Sequence, residues 1–286
     1  MRDAEYRLGL ALVTASALAW STAGLFTRII EVDTGTMLVW RGVFGALGIL
    51  AIACALQGRS ALRDFTKMGV PGWTFAIISA VGMLCFITSL RLTTVAHVSF
   101  IYATVPLVAA VLAWMVIGER PGRSALVASF ASLLGVGIIV GLGTEGDLFG
   151  DLLAFGMTLS LAVMMVISRR YRGIPIMPAA CLSAILSGMM AVPFAVDLAV
   201  SLPDLGLLAA FGLVNSAVGL ALFTLGARLL PAIETALIGA IETPLAPAWV
   251  WLFFAEIPSG ATLIGGGIVL VAVLGHIMQQ NRRRSH

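Results

Sequence analysis

Long apolar runs separated by short polar breaks fill this chain. The runs lie at 8–30, 36–57, 70–90, 94–117, 124–142, 149–168, 178–198, 205–226, 232–255 and 260–279. The breaks, such as EVDTG, QGRS, GERPGR, GTEGDLFG and SLPD, hold Gly, Pro or charge, as turn chemistry requires. A helix needs ~20 predominantly apolar residues to cross a bilayer. The pattern therefore predicts ten transmembrane helices, with loops too short to fold as a separate domain.

Two of the runs are not purely apolar, and they echo one another. Arg228 to Glu256 carries Glu234 and Glu242 inside the span, together with Pro244 and Pro247. Arg91 to Glu119 carries His97 and Pro106. Both stretches start Arg-Leu and end in Glu, and their spacings are equal. Aligned in this way, His97 falls on Glu234 and Pro106 falls one residue from Pro244. A carboxylate at bilayer depth costs ~2.5–3.5 kcal/mol on insertion scales, so it faces a partner or a wet cavity. A proline within a helix frees the carbonyl four residues earlier, here those of Ala240, Thr243 and Tyr102. Corresponding interrupted helices in two halves point to a transporter binding site. The echo reads as an internal repeat of five helices each, residues 1–145 and 146–286, with Pro106 and Pro244 as hinges.

The Lys and Arg positions orient the spans. With the N-terminus inside, fourteen of the basic residues fall on the inner side: Arg2, Arg7, Arg59, Arg63, Lys67, Arg120, Arg123, Arg169, Arg170, Arg172, Arg228 and Arg282 to Arg284. Only Arg28 and Arg91 fall outside, and Arg41 lies within a span. The positive-inside rule then predicts that both termini are cytoplasmic. The outer loops collect Glu31, Asp33, Glu145, Asp147, Asp197, Asp204 and Glu256. An odd number of spans per half gives the halves opposite orientation, as in alternating-access carriers. The expected fold is an all-α integral membrane protein whose two inverted five-helix repeats surround a central cavity.

Composition agrees. Of 286 residues, 60% are hydrophobic and 11% charged, with a mean hydropathy of +1.05. Soluble domains carry about 25% charged residues. The net charge of +3 does not point to nucleic acid, because the basic residues sit at helix ends. Cys54, Cys85 and Cys181 lie inside apolar runs and read as small core residues. The first run is too long for a signal-peptide core and lacks a small-residue cleavage site. Small residues at Gly42, Gly45 and Gly48, at Gly135 and Gly137, and at Gly265 to Gly267 allow close helix contacts.

Six residues are candidates for substrate contact. Arg41, in span two, can clamp a carboxylate through parallel hydrogen bonds; it can also snorkel outward or pair with Glu31 or Asp33. Glu242 reads as a partner for a substrate ammonium or a proton carrier, or as a packing carboxylate beside the helix break. Trp20 and Tyr102 read as cavity walls or core aromatics. His97 either lines the path or is a satisfied structural residue. Asn215 interrupts an apolar helix and either contacts ligand or bonds a neighbouring helix. Glu234 lies nearer the cytoplasmic end, where it can cap the helix or face water. The other tryptophans mostly fall near span ends, where they anchor at the interface.

Gly141 to Gly146 matches G-x-G-x-x-G, but it follows a membrane helix and lacks the strand–turn–helix context of dinucleotide binding. There is no Walker A sequence and no H-E-x-x-H, and His97, His276 and His286 lie far apart. No metal and no cofactor are expected, and neither is enzymatic chemistry.

On these residues the chain resembles the drug/metabolite transporter superfamily in its EamA branch. The likeness rests on Arg41-Gly-Val-Phe-Gly-Ala in span two, and on Pro106…Gly118-Glu119 and Pro244…Ala255-Glu256 ending spans four and nine. Ala255 departs from the usual Gly, and Pro244 is one position late. Within the branch the chain looks most like the YddG-type exporters of aromatic and other neutral amino acids. The resemblance implies a bacterial inner-membrane location and export of small metabolites by alternating access. It also implies that spans five and ten are set apart as a packing or homodimer-forming pair. The small-molecule substrate and the lipid bilayer are then the partners. A multidrug exporter of lipophilic cations, dependent on a deep acid such as Glu242, is the alternative. A nucleotide-sugar carrier would need more cavity cations than Arg41 alone.

Overall fold

The computed structural model describes residues 3–58, 60–118, 123–142, 146–171, 173–230, 235 and 238–282. Every regular element among them is helical. Among the described residues, seven stretches are long and apolar enough to cross a membrane: Ala4–Ile29, Thr34–Gln57, Gly69–Leu92, Val95–Ile117, Leu148–Arg170, Ile176–Phe194 and Leu202–Gly226. Leu126–Leu142 and Gly260–His276 are shorter apolar helices. The predicted span 232–255 is described only in part. Glu119 and Glu234 lie outside the described residues, as do Arg2, Arg59, Arg120, Glu145, Arg172, Arg283 and Arg284 of the topology argument.

The helices are α1 (Asp3–Ser21), α2 (Ala23–Ile29), α3 (Thr34–Gln57), the short α4 (Ser60–Asp64), α5 (Gly69–Leu92), α6 (Val95–Tyr102), α7 (Val105–Ile117) and α8 (Arg123–Leu142). They continue with α9 (Leu148–Arg170), α10 (Ile176–Ala191), α11 (Leu202–Phe211), a π-helical stretch (Gly212–Val218), α12 (Gly219–Gly226), α13 (Glu242–Phe254) and α14 (Gly260–Arg282). Side chains cap several starts, satisfying amides that a helix leaves unpaired. Asp33 accepts from Thr36 N–H at 2.9 Å, Thr94 from His97 N–H at 3.2 Å, and Asp147 from Gly150 N–H at 2.8 Å. Left-handed residues end α7 and α13, Gly118 at φ 78° and Ala255 at φ 53°.

The helical stretches predicted as spans four and nine are interrupted near the expected prolines. Pro106 sits in the first turn of α7, after the break at Ala103 and Thr104. There the Ile101 carbonyl accepts from both the Thr104 amide and the Thr104 hydroxyl. Pro244 sits in the first turn of α13, after a turn at Ala240 and Ile241. The Ala240 carbonyl, expected to be free, accepts from Thr243 N–H at 3.2 Å. The turn brings a nearer donor to the group that the proline leaves unpaired.

Helices pack α3 on α10, α5 on α9, α1 on α12, and α6 on α13. The pair α8 and α14 packs chiefly on itself. Gly135 and Gly265 let these two backbones touch, since a Cβ on either would strike the carbonyl of the other. Large apolar side chains such as Leu133, Leu134, Leu263, Ile264 and Val271 are exposed on this pair, as lipid-facing surface requires.

Long-range bonds gather one set of connections into an acidic end. Asp33 accepts from Val196 N–H, and the Thr36 hydroxyl donates to the Asp197 carbonyl at 2.9 Å. The Arg91 guanidinium donates to the carbonyls of Ile30 and Val32 at 2.9 and 2.7 Å. Connections at the opposite, basic end carry Arg63, Lys67, Arg169, Arg170 and Arg228.

Candidate substrate cavity

Between these ends lies a cavity of about 240 Å³. Five of the six candidate residues line it: Trp20, Arg41, Tyr102, Asn215 and Glu242. They come from α1, α3, α6, the π-helical stretch and the first turn of α13, so only the tertiary fold unites them. Along α3 the lining runs from Arg41, ~10 Å past Thr34, to Ile49, ~22 Å past it, at 1.5 Å per residue. On α10 it starts at Ala180, near the helix's basic end. The cavity thus extends from mid-depth towards the basic end.

Arg41 turns inward and is 3% exposed. It neither snorkels nor pairs with Asp33, whose carboxylate is taken up by Thr36 and Val196. Its Nη2 donates to Asn215 Oδ1 at 3.1 Å, and its Cζ lies 4.9 Å from the centre of the Phe211 ring. A cation over an aromatic face is attracted by the ring quadrupole. The Arg41 Nε is buried with no hydrogen-bond partner. A buried donor left unpaired is costly, and an acceptor brought within reach of it would relieve that cost.

Asn215 is held from every side. Its Nδ2 donates to the carbonyls of Ala19 and Trp20 at 3.2 and 3.3 Å, and its own carbonyl accepts from Trp20 Nε1 at 2.9 Å. The wide turn at Gly212–Val218 carries it; such π segments recur at functional sites. Gly212 lets this turn close on α3, since a Cβ there would meet the Arg41 carbonyl and Gly45.

The Glu242 carboxylate forms no hydrogen bond or ion pair with another described residue. Trp20, Phe86, Tyr102 and Glu242 line both the main cavity and a second space of about 20 Å³ that reaches Leu90 and Ser99. These four form a constriction on the acidic side of the cavity. Across the main cavity, Ser183 donates to Ser79 at 2.8 Å in a wall that also holds Met83, Met157 and Leu161.

His97 lies elsewhere. It is 1% exposed, with Nδ1 3.1 Å from both Asp151 oxygens and Nε2 3.2 Å from Thr262 Oγ1. Both ring nitrogens thus have partners, and His97 is not among the residues that line the main cavity. Asp151 also accepts from the Thr93 hydroxyl at 2.9 Å. Sequence reading missed Asp151, although its place at the start of span six is a depth where a carboxylate signals a partner. It also missed the pair of Arg28 with Glu256, Nε to Oε2 at 3.1 Å.

A helical multi-pass protein with a largely apolar cavity among its spans, carrying a few polar and charged groups in its wall, has the form of a membrane transporter. The chain belongs to the EamA-like transporter family, whose model matches residues 7–141 and again 148–278. Among solved structures, one crystal structure superposes at a TM-score of 0.68, covering 99% of this chain and 100% of its own, at 18% identity. That likeness shows the fold alone. No curated protein matches the chain. Family membership makes this a transporter of small molecules across a lipid bilayer.

Proposed function

We propose that this protein exports neutral amino acids, aromatic ones included, or similar zwitterionic metabolites by alternating access. The observation that carries the reading is a cavity wall holding both Arg41, whose buried Nε has no hydrogen-bond partner, and Glu242, whose carboxylate has no partner among the described residues. A zwitterion brings a carboxylate for the first and an ammonium for the second, and Trp20 and Tyr102 offer faces for its side chain. Fixed partners for both charges recover what the ligand loses on leaving water.

The two five-helix units, 1–145 and 146–286, are read as inverted repeats. Support comes from contacts that recur when spans one to five are matched with six to ten. The pair α1–α12 then corresponds to α9–α5, while α3–α10, α6–α13 and α8–α14 each map onto themselves. With basic connections inside, both termini are cytoplasmic in a bacterial inner membrane, and the cavity extends towards the cytoplasm. The resemblance to YddG-type exporters supports the same substrate class, and α8 with α14 supplies an apolar face for a homodimer.

Uptake of labelled neutral amino acids into liposomes, with and without unlabelled amino acid inside, tests this reading. Saturable uptake accelerated by internal substrate is expected. No uptake by verified, folded protein overturns the amino-acid reading. The second reading, a carrier of lipophilic cations, is favoured by one observation, Glu242, with no carboxylate partner among the described residues, lining one space with Trp20, Phe86 and Tyr102. It predicts exchange of such cations that depends on Glu242 and not on Arg41.

A further inference from the structure

The acidic end of the bundle holds a polar network that the cavity does not use. Arg28, at the end of α2, bonds Glu256 and also donates to the carbonyls of Leu90 and Thr93. The other oxygen of Glu256 accepts from Val95 N–H, in the first turn of α6, at 3.1 Å. A carboxylate at a helix N-terminus is held by both amide and dipole. One glutamate thus joins α2, the α5–α6 break and the end of α13.

A second pair lies beside it. His97 on α6 meets Asp151 on α9 and Thr262 on α14, and Asp151 and Asp147 are both tied to Thr93. Gly146 presses on the imidazole so closely that a Cβ there would collide with it. Each pair joins a residue before position 142 to one after position 146. The main cavity extends towards the basic end; beyond the constriction, towards the acidic end, lies a space of about 20 Å³, and a separate one of about 50 Å³ lies beside Thr94 and Glu256.

We propose that Arg28–Glu256 and His97–Asp151 form a latch that holds the acidic end closed and must part before substrate can leave there. The proposal rests on the transporter reading only for the word substrate; closure itself is a property of the fold. Interfaces of this kind are bistable, so removing contacts that exist in one state alone shifts the population towards the other. The pairs are half-buried or buried, where bulk solvent screens them less than at an open surface.

The test uses the full chain in lipid nanodiscs, with Cys54, Cys85 and Cys181 replaced by Ala. Spin labels at Glu31→Cys and Ile257→Cys report the width of the acidic end. One short distance is expected for the intact latch. Glu256→Gln and Asp151→Asn are each expected to raise the ratio of wide to narrow molecules at least about fivefold, the lower bound of typical coupling. A reversible crosslink between the two cysteines keeps every latch residue, so it serves where a variant fails to fold. It is expected to abolish exchange in liposomes, and reduction is expected to restore it. Unchanged distances in both variants, or undiminished exchange while crosslinked, would overturn the latch. Widened distances without any amino-acid exchange would support the latch and sink the amino-acid reading instead.

Discussion

Ala255 ends α13 in the same left-handed turn with which Gly118 ends α7. The two φ angles are 53° and 78°, and the amides donate to Trp251 and Trp114 respectively. The echo read in the sequence between the two interrupted spans is thus also an echo of backbone geometry. It differs in one respect: glycine adopts this conformation freely, whereas a Cβ crowds the following carbonyl. Ala255→Gly is expected to stabilise the protein by about 1 kcal/mol, read as a raised midpoint of thermal unfolding in detergent.

Arg41 is the only guanidinium in the cavity wall among the described residues. Arg41→Lys keeps the charge and loses the planar fork that bonds Asn215 and offers Nε at once. The half-saturation concentration in exchange assays should rise about tenfold or more, the scale of a lost charge-assisted hydrogen bond. Unchanged saturation would remove Arg41 from the binding site.

Asn215→Leu removes an amide that bonds Arg41, Ala19 and Trp20. It leaves buried donors and acceptors without partners, at about 1–3 kcal/mol. Chemical denaturation should register that loss, and exchange should fall with it because Arg41 loses its fixed partner.

Asp33 gives a pH signature outside the spans. Burial acts to raise its pKa, but hydrogen bonds from Thr36 and from the Val196 amide outweigh it and hold the carboxyl below its ordinary value. A depressed folded-state pKa stabilises above the unfolded value and is lost as pH falls through the folded one. Stability should therefore decline below about pH 4, the ordinary carboxylate value. Asp33→Ala should flatten part of that decline and cost about 1 kcal/mol at neutral pH through the lost cap of α3. Thermal melts across acid pH compare the two proteins.

Much of the architecture was legible because a bilayer imposes a coarse rule, ~20 apolar residues per crossing. Cavity residues were legible for a related reason: Arg41, Asn215 and Glu242 are polar groups in apolar runs, and burial demands an explanation for each. For His97 the same reasoning left two readings, a path residue or a satisfied structural one, because its partner Asp151 lies on another helix and no local pattern announces it. Arg28 and Glu256 each look like ordinary residues at a span end, and only the tertiary fold joins them. The freed Ala240 carbonyl was a deduction from an ideal helix, and the chain relaxes into a turn that supplies the Thr243 amide.

The π-helical stretch at Gly212–Val218 has a consequence for how this span tolerates change. A π turn spends one residue more than an α turn, so each side chain after it heads roughly 100° away from its place in an unbroken helix. Leu220 in the cavity wall and Phe223, whose ring centre is 5.2 Å from that of Trp20, owe their heading to that added residue. Deleting any one residue from this turn would rotate the remainder of the span as a block. Over these few positions the count of residues is held as tightly as their identity.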